Sequence, residues 1–173
     1  MYEHIKFKNA INMRKANYDK FPSTKLTGML VQGWDSIISM LKKKMDARKV
    51  LAVDLYTGVY EEEVLDAFSK EFSGRVMNVR DLMKPEKEIQ TLTERFMTED
   101  VLFGYVTNLK LEDYLDADKV AAARKQISEA KETIVIIGTG AAVVAPQDAM
   151  VVYADMARWE IQQRFRRHEV KRS

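Results

Sequence analysis

The chain has 173 residues, a net charge of +2, hydrophobic residues at 46% and charged residues at 31%, which suits one domain with a genuine core and excludes a disordered chain. No apolar run approaches the roughly 20 residues of a membrane-spanning helix, and the small net charge makes no case for nucleic acid. The absence of cysteine excludes disulfides, a thiol nucleophile and thiolate metal sites.

Glu3, His4, Lys6 and Lys8 leave no room for a signal-peptide apolar segment, so a cytoplasmic location is expected. Residues 1–27 read as a polar N-terminal arm. Its turn-forming run from Asn17 to Pro22 holds an aromatic pair, Tyr18 and Phe21, suited to pinning the arm onto the domain. The rest, 28–173, reads as a single α/β domain. Trp34, Ile37, Ile38, Leu41 and Met45 make one apolar stripe at helical spacing, with Lys42, Lys43 and Lys44 at the end where positive charge suits the helix dipole.

Residues 49–55 form a β-branched run without alternation, the pattern of a strand buried on both faces of a parallel sheet. After Tyr56-Thr57-Gly58-Val59 a helix opens on Glu61, Glu62 and Glu63, buries Val64, Leu65, Phe68 and Phe72, and closes at Gly74. A second strand is expected over 75–79, ending at Arg80 and Asp81. A helix beginning at Pro85 follows, with Ile89, Leu92 and Phe96 on its core side. Beyond a long connection, residues 118–130 predict a helix with Val120, Ala123 and Ile127 inward. That helix leads to strands at 133–137 and 149–154, both expected to be buried, with Gly138-Thr139-Gly140-Ala141-Ala142 between them. A final helix carries Arg158, Arg164, Arg166 and Arg167. The alternation predicts a three-layer α/β/α fold with a mostly parallel sheet.

Three places offer chemistry. Thr57-Gly58 occupies a strand-to-helix turn, where free backbone N–H groups suit an anion. A working phosphate loop, however, needs a lysine and a hydroxyl. The stretch 56–63 has one glycine, no lysine and three acids, and those acids stabilise a helix start while repelling a triphosphate. Gly138-Thr139-Gly140 is a second turn at a strand's carboxyl end, where open α/β sheets keep their ligand crevice. The third is the arginine helix. Arg164 and Arg167 share a face, with Arg158 further back, and guanidinium groups grip phosphate; the alternative is a Glu160–Arg164 salt bridge on a solvated helix. The expected candidate anion site therefore comprises Thr57, Gly58, Gly138, Thr139, Gly140, Arg158, Arg164 and Arg167. Asp54, Asp81 and Asp155 each follow an apolar run and are candidates to converge on one rim. The two histidines, His4 and His168, are near opposite ends and support no metal site. Trp159 and Phe165 read as core or interface anchors.

Two resemblances follow. The order of strand, phosphate-loop position, helix, strand with a following acid, late strand pair and arginine-rich helix resembles P-loop kinases of the uridine kinase type. It implies a degenerate phosphate loop, with Asp81 as the acid that would handle an acceptor hydroxyl. More specifically, Tyr18-Asp19-Lys20-Phe21-Pro22, Val53-Asp54-Leu55-Tyr56-Thr57-Gly58-Val59 and the run from Tyr153 to Arg167 resemble the N-terminal domain attached to some bacterial class I mannose-6-phosphate isomerases. That resemblance implies a non-catalytic, kinase-like module in carbohydrate metabolism. Its partner would be an isomerase domain in cis or in trans, and zinc would belong to that domain alone. A phosphate-containing small molecule is the expected ligand, and no cofactor is expected in this chain. The alternative is a nucleoside or sugar kinase with an unorthodox phosphate loop.

Overall fold

The structure is a computed structural model and describes residues 18, 22–25, 27–45, 47–99 and 104–169. The chain divides into two compact units, Met1–Val31 and Gln32–Ser173. In the first, the described residues form no helix or strand; Tyr18 is 80% exposed, while Phe21, its expected partner, lies outside the described residues.

The second unit runs α1 (Trp34–Met45), β1 (Val50–Leu55), α2 (Glu61–Glu71), β2 (Arg75–Asn78), α3 (Glu86–Glu94), α4 (Ala117–Glu129), β3 (Ile134–Gly138), α5 (Ala141–Val144), β4 (Met150–Ala154) and α6 (Arg158–Arg166). The four strands form one sheet in the order β2-β3-β1-β4, and every pairing is parallel. Val50 is level with Ile134 on one side, and Leu51 with Met150 on the other. The two late strands therefore do not pair with each other; they flank β1.

The sheet separates two apolar layers. On one face Leu51, Val53, Leu55, Val135 and Ile137 pack with Ile38, Leu41 and Met45 of α1 and Val64 and Phe68 of α2. On the other face Val50, Ala52, Ile134 and Ile136 meet Val120, Ala123 and Ile127 of α4 and Ala141 and Val144 of α5. Adjacent residues of β1 and β3 thus serve opposite layers, which is why neither run alternates in polarity. Each buried Ile, Val or Phe contributes on the order of 1.5–3 kcal/mol to this three-layer arrangement.

Two expectations about burial are corrected. β4 is an edge strand whose residues alternate between half-buried and exposed, because the four-residue α5 is too short to cover its second face. α3 has no buried residue: Ile89, Leu92 and Phe96 are only half-buried, the helix lying at the margin of the layers.

Candidate functional site

From β1 the chain passes to α2 on one face of the sheet, and from neighbouring β3 to α5 on the other. The two connections diverge at the carboxyl ends of these strands, the switch point at which such sheets bind ligands. Thr57-Gly58 and Gly138-Thr139-Gly140 are the two turns that leave it.

The second turn is occupied by the chain itself. Gly140, with φ +88°, turns the backbone so that N–H groups point back towards β1. Asp54 accepts from two donors of this turn: Oδ1 from the Gly140 N–H at 3.1 Å and Oδ2 from the Ala142 N–H at 2.9 Å. The Thr139 hydroxyl donates to the Leu55 carbonyl at 3.0 Å. Backbone donors at such a turn favour negative charge, and a carboxylate from the adjacent strand supplies it. A Cβ at Gly140 would lie 2.9 Å from Leu111 Cδ2, so a second side chain closes over the same turn.

The first turn is covered by α6. Gly58 is buried with φ +94°, and a Cβ there would lie 3.1 Å from Ile161 Cγ1. Arg164 Nη1 donates to the Gly58 carbonyl at 2.7 Å, Nε to Glu160 at 3.3 Å, and the guanidinium stacks 3.7 Å over the Tyr60 ring. Arg167 binds Glu169 at 2.6 Å and Glu160 at 3.1 Å, and the Tyr60 hydroxyl donates to Glu169 at 2.7 Å. Tyr60, Arg164, Arg167, Glu160 and Glu169 thus form one latch between the β1–α2 turn and the C-terminal helix.

The latch has an electrostatic signature. The Arg167 guanidinium, followed by the Tyr60 hydroxyl, holds the Glu169 carboxyl down at about 2 from an ordinary 4.5. A lowered carboxyl pKa stabilises the folded form above the unfolded value, and that contribution is lost as pH falls from about 4.5 towards 2. A carbon-NMR titration should therefore find Glu169 still ionised at pH 3; a midpoint near 4.5 would mean that the latch does not form in solution.

The structure thus brings Gly58, next to Thr57, to Arg164, and the turn of Gly138, Thr139 and Gly140 to Asp54 and Leu55 at the end of β1. Each turn meets a different element of the chain. Arg158 is exposed, and Asp81 is exposed on a 3-10 turn, Val79–Leu82, beyond β2. Beside it, Arg80 pairs at 2.8 Å with Glu61 Oε2 at the start of α2, while Glu61 Oε1 is buried without a hydrogen-bond partner. Of the three acids expected on one rim, Asp54 turns to the Gly140 loop, and Asp155 accepts from the N–H of Met156 at 2.7 Å. Among the described residues, no group of three or more His, Cys, Asp or Glu is placed to hold a metal ion, and no helix is long and apolar enough to cross a membrane. Trp159 is 67% exposed and is not a core residue. A groove of about 910 Å³ opens at the amino ends of β1 and β3, lined by Lys49, Val50, Arg124, Ile134 and Asp148, the edge of the sheet away from the two turns.

Sequence reasoning missed Tyr60 as the stacking partner of Arg164 and Asp54 as an internal anion. The Glu160–Arg164 spacing was the one legible trace of the latch.

Fold and site together define a three-layer α/β domain with an all-parallel sheet and a switch point filled by its own side chains. Residues 33–172 match the family model described as Domain of unknown function (DUF8485), and the chain belongs to that family. No curated protein and no solved structure matches it.

Proposed function

We propose that this chain is a non-catalytic docking or regulatory module, the kinase-like portion that serves a class I mannose-6-phosphate isomerase domain in cis or in trans. The observation that carries the reading is the Asp54 carboxylate on the Gly140 and Ala142 N–H groups. Two donors that a phosphate-handling domain would offer to a ligand are engaged internally, and Arg164 is committed to Gly58 and Tyr60. The partner comes from the resemblance carried by 18–22, 53–59 and 153–167. Zinc chemistry is assigned to the isomerase domain by the same resemblance. The alternative, a small-molecule kinase with an unorthodox loop, draws on the exposed Asp81 beyond β2.

Calorimetric titration of the chain with the isomerase domain supplied in trans should show binding; its absence would defeat the docking reading. Parallel titrations with mannose 6-phosphate, ATP and sulfate should show no heat in the low-millimolar range. Arg164→Ala should lower stability, because it removes a charged hydrogen bond of about 1.5–3 kcal/mol together with the ring stack. Phosphate binding weakened roughly tenfold by Arg164→Ala, the loss expected for one such contact, would instead show that α6 opens to hold an anion. Magnesium-dependent ATP turnover abolished by Asp81→Ala would favour the kinase.

A further inference from the structure

We propose that β4 pairs with β4 of a second copy of this chain, antiparallel about Val152, joining two four-stranded sheets into one of eight. The Ala154 carbonyl accepts from the Tyr56 N–H at 3.0 Å, so Ala154, and with it Val152 and Met150, directs its peptide groups at β1. Backbone groups alternate in direction along a strand. Val151 and Tyr153 therefore direct their N–H and C=O groups outwards, and among the described residues no strand meets them.

Natural sheet edges are blunted by charge, proline or a bulge. Met150-Val151-Val152-Tyr153-Ala154 carries no charged residue and no proline, and it keeps an unbroken five-residue register with β1.

The occupant is a second copy because the edge is self-complementary. A two-fold axis through Val152 overlaps the whole strand with its mate and sets Val151 opposite Tyr153 twice. Both residues of that pair face outwards, so they meet as hydrogen-bonded pairs with four bonds in all. Their side chains, 54% and 58% exposed, form aromatic–β-branched cross-strand pairs, a favoured combination. Tyr56, edge-on to Tyr153 at 6.3 Å, extends the covered patch.

Light scattering on the 173-residue chain should give twice the 20.0 kDa chain mass in the micromolar range. Val151→Pro and Tyr153→Lys should give monomers with unchanged circular dichroism, since the Val151 N–H takes no part in the β1 ladder. The chain lacks cysteine, so Val152→Cys should form a reducible crosslinked dimer, position 152 being opposite itself, whereas Val151→Cys should not. A monomeric wild type, or a Val151→Pro variant that remains dimeric, would overturn the proposal.

Discussion

Replacing Asp54 by alanine is expected to lower the free energy of unfolding by about 3 kcal/mol, with a fall in melting temperature of roughly 6–12 °C for a domain of this size. The carboxylate accepts two backbone N–H groups from a turn 86 and 88 residues away in sequence. It ties β1 to the β3–α5 connection more directly than any apolar contact there. Bonds to a charged acceptor contribute about 1.5–3 kcal/mol each; the lower end applies because Ala142 is exposed and water can replace part of what is lost. Asp54→Asn should cost nearly as much, since its amide keeps one acceptor oxygen and turns an N–H towards a second donor. Urea unfolding of both variants checks this. A loss below about 1 kcal/mol, the level of a single neutral hydrogen bond, would show that the carboxylate does not hold the turn.

That dependence explains why the site was only half legible. An acid at the end of an apolar run looks the same in sequence whether it faces solvent, a metal or a backbone turn, and its partners here come from a strand brought alongside only by the sheet. The same limit applies to the late strands: 133–137 and 149–154 are neighbours in sequence, yet they lie on opposite sides of β1, because pairing follows the crossovers. Features set by local chemistry were readable. The unalternating β-branched runs gave β1 and β3, the spacing of Val120, Ala123 and Ile127 gave the inner side of α4, and the acid-rich start of α2 was visible in Glu61, Glu62 and Glu63. At Arg164 the i, i+4 partner Glu160 was readable, whereas the stack on Tyr60 required α6 to fold back over the β1–α2 turn.

Gly138→Ala is expected to cost about 3 kcal/mol, and Gly140→Ala clearly less, although both glycines flank the same threonine. Gly138 has φ +134°, and an added Cβ would lie 2.9 Å from the Cβ of Val79, a residue 1% exposed in the α4–α5 layer. An L-residue at φ +134° lies beyond the left-handed helical well and costs on the order of 1–3 kcal/mol, and overpacking a rigid core position adds about 1–3 kcal/mol. Val79 begins the 3-10 turn beyond β2, so its Cβ cannot withdraw without moving the backbone that carries Arg80 and Asp81. Gly140 has φ +88°, and its added Cβ would meet the Cδ2 atom of Leu111 at 2.9 Å. Leu111 is 36% exposed, and its side chain has room to rotate away, leaving mainly the backbone cost of about 1–2 kcal/mol. Chemical denaturation of the two variants side by side separates these contributions: equal losses would mean that the contact with Val79 yields as easily as that with Leu111, and that the carboxyl edge of β3 is not rigidly packed.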